Sequence, residues 1–168
     1  MIHQLKREQW LDCTLDEAWK FFSTPRNLEQ LTPASIRFRI THLNSESAHI
    51  GQIIGYRIRI APMIEVPWLT ELTVVEPRQR FVDDQRSGPY KVWHHEHTFE
   101  EMNGGVLMRD TVTYVLPFGP IGDIVHKLFV GRKLRFIFDE RYRLCDEIFN
   151  HKSANGALHS RSAGVSPV

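Results

Sequence analysis

The stretch "KVWHHEHTFEEMNGGVLMRDTVTYVLPFGPIGD", Lys91 to Asp123, contains two alternating runs, a turn dipeptide between them and an abrupt stop. Asn103-Gly104 is the strongest short hairpin signal, a type I′ turn whose two central residues need positive φ. With that dipeptide as the turn, Met102 faces Gly105. Phe99, His97, His95 and Trp93 then oppose Met108, Asp110, Val112 and Tyr114. One face of the hairpin is aromatic and apolar around a polar island of His95, His97 and Asp110. The other carries His94, Glu96, Thr98 and Glu100 and reads as solvated, with Arg109 between two carboxylates. A slip of one residue would mix the two sets.

Downstream, "PFGP" stops the strands. A helix is expected from about Ile121 to Phe149, with Ile124, Leu128, Phe138, Tyr142, Cys145 and Phe149 on its apolar stripe. Gly131 sits inside it, where glycine costs about 1 kcal/mol relative to alanine; a kink, a close approach to a ligand or a packing demand would each account for it. Upstream, "IRFRI" and "IIGYRIRI" alternate with period two, placing Phe38, Tyr56, Ile58 and Ile60 on one face and Arg37, Arg39, Arg57 and Arg59 on the other. Further strands are expected in Trp68–Val75 and Arg80–Gln85, and an opening strand near Ile2–Leu11. Thr14 and Glu17 form a T-x-x-E capping box ahead of a helix carrying Ala18, Trp19 and Phe22, and Pro25 begins a short second helical turn. Residues 1–149 form one domain on this pattern. The tail 150–168, small, polar and aperiodic, is expected to be disordered. The class is α+β: one curved antiparallel sheet of about seven strands whose single buried face is covered by the long C-terminal helix.

Composition narrows the function. With 168 residues, 42% hydrophobic and a formal net charge of +1, the chain carries no global pull toward nucleic acid or an anionic membrane. Basic residues of the last helix, Lys127, Arg132, Lys133 and Arg135 among them, alternate with acids and read as a solvated face. Cys13 and Cys145 are too far apart for a CxxC site and fit buried inert thiols. The N-terminus is charged where a signal peptide would be apolar, and no apolar run reaches the roughly 18 residues of a membrane span, so a cytoplasmic location is expected.

His95 and His97 point inward, about 7 Å apart along the strand. Asp110 is placed to accept from His97, which would favour the charged imidazole while burial opposes it. H-x-H is a known ligand spacing, and Asp110 could be a third donor, but no fourth ligand is evident and the shell is apolar; no metal and no cofactor are expected. A structural hydrogen-bonded cluster would account for the island, and a polar anchor in an apolar ligand cavity, a common design for small-molecule sites, is the reading preferred over both that cluster and a metal. Glu65 and Glu71 have no assigned facing, and Asp83 and Asp84 read as lying near a turn, without a visible partner.

Three stretches carry a family resemblance. "TLDEAWKFFSTPRNLEQLTP", "FVDDQRSGPYKVWHHEHTFEE" and "DTVTYVLPFGPIGDIVHKLFVGRKLRFIFDERY" resemble the SRPBCC superfamily of START-like and polyketide-cyclase-like proteins, and the second is similar to a bacterial ligand-binding subgroup with W-x-H-x-H-x-F. The resemblance spans about residues 2–149. It implies a helix-grip fold with a deep cavity between sheet and helix, and binding of a lipid-, sterol- or polyketide-like molecule. Tyr56, Trp93, His95, His97, Phe99, Asp110, Val112 and Tyr114 are the expected ligand-binding residues. Alternatives are a cyclase or dehydratase in which His97, oriented by Asp110, removes a proton and His95 or Tyr114 steadies the enolate oxygen, and an interaction module for an epimerase-like enzyme. The chain itself carries no G-x-G-x-x-G dinucleotide motif.

Overall fold

The computed structural model describes residues 1–151, so the tail expected to be disordered lies, from residue 152 onward, outside the described residues. Strand β1 (Ile2–Leu11) leads into α1 (Leu15–Phe22), two 3-10 turns (Pro25–Glu29 and Ala34–Ile36) and strands β2 (Arg39–Leu43), β3 (Ile53–Ala61), β4 (Ile64–Glu76), β5 (Arg80–Ser87), β6 (Val92–Met102) and β7 (Gly105–Val115). The C-terminal helix follows as α2 (Gly119–Val125), one wide π turn (His126–Val130) and α3 (Gly131–Phe149). The strands form one sheet in the order β1-β7-β6-β5-β4-β3-β2, antiparallel at every pairing.

Local chemistry explains the elements. Thr14 Oγ1 accepts from the Glu17 amide at 3.3 Å while the Glu17 carboxylate accepts from the Thr14 amide at 2.8 Å, so both halves of the capping box form. Asn103 and Gly104 turn the β6–β7 hairpin with φ of 53° and 80°, and the expected register holds from Trp93↔Tyr114 to Met102↔Gly105. Gly105 has a further demand on it: a Cβ there would stand 2.5 Å from the Leu11 carbonyl oxygen, because β1 passes directly behind.

Four expectations need correcting. The strand expected from Ile36 begins only at Arg39, because Ala34–Ile36 closes a 3-10 turn and Arg37 takes φ 48°, which breaks extension. A bulge between Arg59 and Ala61 interrupts β3, leaving Ile60 37% exposed. Arg109 does lie between two carboxylates, but one is Glu8 on β1 rather than Glu96. In the long helix, the π turn inserts one extra residue, visible as the Gly131 amide donating to the His126 carbonyl five residues back, and this rotates the two halves relative to one another. Ile124 and Leu128 are therefore exposed; within α3 Tyr142 is exposed as well, and the inward stripe is Leu134, Phe138, Arg141, Cys145 and Phe149.

That stripe fixes the helix on the sheet. At one end Phe149 packs between Phe21 and Phe22, with ring centroids at 5.1 and 5.8 Å. Along its length α3 is tied to edge strand β1 by Arg7–Asp139 (2.7 Å) and by Gln9 donating to the Tyr142 carbonyl (2.9 Å). Lys133 donates to the Arg59 carbonyl of β3 at 3.1 Å, so the helix reaches both sides of the sheet. Packing is tight at Gly131: a Cβ would meet the His126 ring at 3.0 Å and the His126 carbonyl oxygen at 3.3 Å.

Candidate functional site

Between the sheet and the helix lies a cavity of about 530 Å³. Its walls come from Ile54, Tyr56 and Ile58 of β3, Trp68, Thr70 and Leu72 of β4, Trp93 of β6, and Leu134, Ile137 and Phe138 of α3. The aromatic wall is continuous: Tyr56 stacks on Trp68 (5.8 Å), Trp68 meets Trp93 edge-on (5.1 Å), and Tyr90 lies 4.8 Å from Trp93. Its buried polar tips are paired, since Thr70 Oγ1 accepts from Tyr56 Oη at 3.2 Å and from Trp68 Nε1 at 3.3 Å. Burial pushes the Tyr56 hydroxyl far above its ordinary range, so it stays protonated.

Besides Arg59 and Lys133, this wall carries a charged cluster of acid and imidazole side chains. In the sheet register Asp83 of β5 faces His95 of β6, and His97 of β6 faces Asp110 of β7, so the four residues form a parallelogram across three central strands. The two imidazoles lie 3.8 Å apart between the two carboxylates. Toward Asp83 Oδ2 they present His95 Nδ1 at 3.3 Å and His97 Nε2 at 3.4 Å. Toward Asp110 Oδ1 they present His95 Nε2 at 3.3 Å and His97 Nδ1 at 2.6 Å, the last contact close but not aligned as a hydrogen bond. Phe81 stacks on His97 at 4.2 Å and holds its plane. From the helix, Arg141 Nε approaches Asp110 Oδ2 to 3.9 Å.

Electrostatics follow from that arrangement. Burial pushes the Asp110 carboxyl up, but Arg141 and the two imidazoles outweigh it and hold it well below the carboxylate range. Asp83 is also driven up by burial and brought down further by His95 and His97, so its net shift is downward. His95 is lowered by burial and raised more by Asp83 and Asp110, for a net upward shift. Elsewhere, burial lifts the Cys145 thiol to about 12 and the Cys13 thiol to about 11, so neither is an activated nucleophile.

Of the residues expected from the sequence, Tyr56, Trp93, His95 and His97 line the cavity. Phe99, Asp110, Val112 and Tyr114 are on the same buried face but outside its wall. Phe99 is capped by Trp19 and Phe22 of α1, Val112 joins the packed cluster with Leu134 and Phe138, and Tyr114 Oη lies 2.8 Å from His126 Nε2. Asp110 stands behind the histidines. Glu65 and Glu71 pair outward with Arg39 and Arg86. Asp84, also on the outer face, meets His94 at 2.8 Å.

Two members of the charged patch are not evident from the hairpin alone. Asp83 shares the inward face of β5 with Phe81, two residues away, and that alternation is the signal that could have found it. Arg141 falls three residues after Phe138 and four before Cys145, so a correctly phased helical stripe includes it.

No protein-family model matches the chain, and no curated protein matches it. Solved structures do. Protein Ms6760 from Mycobacterium smegmatis has a TM-score of 0.61, with 17% identity over 86% of this chain and 89% of that one. Norcoclaurine synthase from Thalictrum flavum gives 0.61 and 13% over 86% of each chain. Ginseng major latex-like protein 151 from Panax ginseng gives 0.61 and 12% over 88% and 97%. At these identities the likeness establishes the fold: a helix grip, in which an antiparallel sheet of seven strands holds a long C-terminal helix. Among the described residues, no helix is long and apolar enough to cross a membrane.

Proposed function

We propose that the chain binds a hydrophobic, ring-containing small molecule between the sheet and the C-terminal helix. The observation that carries this reading is the cavity of about 530 Å³, within the roughly 300–1,000 Å³ of small-molecule sites, walled mostly by aromatic and aliphatic side chains, with the Asp83–His95–His97 cluster, Arg141, Arg59 and Lys133 as its charged groups. Trp68, Tyr90 and Trp93 offer flat apolar area. His95, His97, Arg141, Arg59 and Lys133 are polar groups able to orient the ligand, and the Nε atoms of Arg141 and Arg59 are buried without a hydrogen-bond partner. A ligand with an acceptor or anionic oxygen at one end and an apolar body fits that distribution. The resemblance of "FVDDQRSGPYKVWHHEHTFEE" to a ligand-binding subgroup supports the same reading, and an open cavity argues against a module whose cavity is vestigial.

The test is native mass spectrometry of protein purified from its own cells, paired with titration of a fluorescent hydrophobe such as anilinonaphthalene sulfonate. A co-purifying organic mass, or saturable fluorescence weakened by Ile137→Trp, which fills the cavity, supports binding. A bare protein whose fluorescence is indifferent to that substitution refutes it.

A second reading, a cyclase- or dehydratase-type enzyme, has one observation in its favour: both imidazoles are flanked by carboxylates, the usual setting of an oriented base. A neighbour of this fold is a norcoclaurine synthase point mutant in complex with a transition state analogue, so the fold occurs in an enzyme. Turnover of an identified ligand that is lost in His97→Ala while binding is retained would establish it; a ligand whose mass and NMR spectrum are both unchanged on incubation would dismiss it.

A further inference from the structure

We propose that Asp83, His95 and His97 bind one divalent transition-metal ion at the inner wall of the cavity. Asp83, His95 and His97 each offer a donor atom within 4.8 Å of the other two, and all three residues line the cavity. His95 Nδ1 and His97 Nε2 stand 3.3 and 3.4 Å from Asp83 Oδ2. Those are long for a charge-assisted N–H···O bond, which favours about 2.7–2.9 Å. They match the edge of a tetrahedron of donors set about 2.0–2.1 Å from a central ion, which is about 3.3–3.4 Å.

The far side of the cluster is built the way ligating histidines are usually supported. Each imidazole turns its other nitrogen toward Asp110 Oδ1, at 3.3 Å for His95 and 2.6 Å for His97. A carboxylate behind a histidine fixes the ring's tautomer and raises its basicity as a ligand. Here one carboxylate serves both rings, and Asp110 stands outside the cavity wall that Asp83, His95 and His97 line. Charge points the same way. Asp83 and Asp110 are two deeply placed carboxylates against the single guanidinium of Arg141, leaving one negative charge for an added cation to meet. The donors also stand on adjacent strands, β5 and β6, of a central part of the sheet, so the cradle is preformed. Three protein ligands leave coordination positions toward the cavity, where an oxygen atom of a bound molecule or a water would complete the shell.

The ion needs the cavity only as its path, so this proposal and the binding of a hydrophobic molecule stand or fall separately. Metal-free protein, prepared with a chelator, is titrated with Co2+ and followed by visible absorption, and a crystal is soaked in Zn2+ for anomalous scattering. We expect one equivalent of Co2+ to develop a saturable band that Zn2+ bleaches. Asp83→Asn and His95→Gln should each weaken binding at least tenfold. Asp110→Asn, which touches no ion, should weaken it roughly 10- to 100-fold. His94→Gln, on the outer face, should leave it unchanged. The Zn2+ peak should lie between Asp83, His95 and His97, a result that requires no variant to fold. Absence of a saturable band, a band indifferent to both Asp83→Asn and His95→Gln, or an anomalous peak elsewhere would overturn the site and leave a protonated imidazole as the balancing charge. A cobalt band without hydrophobe binding would refute the proposed function alone; hydrophobe binding without a cobalt band would refute the metal site alone.

Discussion

Arg141 of the C-terminal helix points its Nε at Asp110 of β7 across 3.9 Å, and both side chains are deeply buried. The pair joins the helix to the charged patch and is the only cationic side chain within ion-pair distance of Asp110 other than the two histidines among the described residues. Removing one partner of a buried pair leaves an uncompensated charge. Arg141→Met is therefore expected to lower unfolding free energy by about 3 kcal/mol in urea titration. The double variant Arg141→Met, Asp110→Asn should recover a substantial part of the loss, since it removes both charges. Additive losses would show that Arg141 acts by packing alone.

Thr70 holds two buried aromatic tips at once, accepting from Tyr56 Oη and Trp68 Nε1. Valine has nearly the same shape but no acceptor. Thr70→Val should destabilise the protein by about 2 kcal/mol, the cost of leaving a buried donor unsatisfied being roughly 1–3 kcal/mol. The midpoint of thermal unfolding checks it, and a neutral result would mean that the two donors find other acceptors.

Gly105 begins β7 where a Cβ would run into the Leu11 carbonyl oxygen at 2.5 Å and the Trp10 ring at 2.6 Å. Because the first obstacle is backbone, it cannot swing aside. Gly105→Ala is expected to cost about 1–3 kcal/mol, measured by chemical denaturation, and to loosen β1 selectively in hydrogen exchange. Full stability and unchanged exchange in β1 would contradict that crowding.

His126 accounts for one pH effect. Its ring stacks on His3 at 3.6 Å and its Nε2 lies 2.8 Å from Tyr114 Oη. Burial, then the neighbouring charges of His3 and Arg135, shift its titration downward. The unfolded chain, titrating near the ordinary value of about 6.5, takes up the proton first. The stability tied to neutral His126 is thus present above about pH 6.5 and is lost as pH falls toward the depressed folded value. Between pH 7.5 and 5.5 the wild-type protein should lose more stability than His126→Gln. Equal losses would remove His126 from the account.

The hairpin was legible in the sequence because each of its determinants is local. Asn103-Gly104 selects the turn, a period of two assigns every side chain to a face, and the resulting register carries His95, His97 and Asp110 inward with no information from the rest of the chain. The capping box of Thr14 and Glu17 and the stop at "PFGP" are local in the same sense. What the tertiary structure alone decided depends on distant partners or on accumulated phase. Asp83 becomes a neighbour of both histidines only when β5 pairs with β6, and Arg141 reaches Asp110 only when α3 packs against the sheet. A single inserted residue turns a helix face by about 100°. The extra residue of the π turn puts Ile124 and Leu128 out of phase with the inward stripe of α3, while the seating of α3 on the sheet brings Arg141 rather than Tyr142 to the cavity wall.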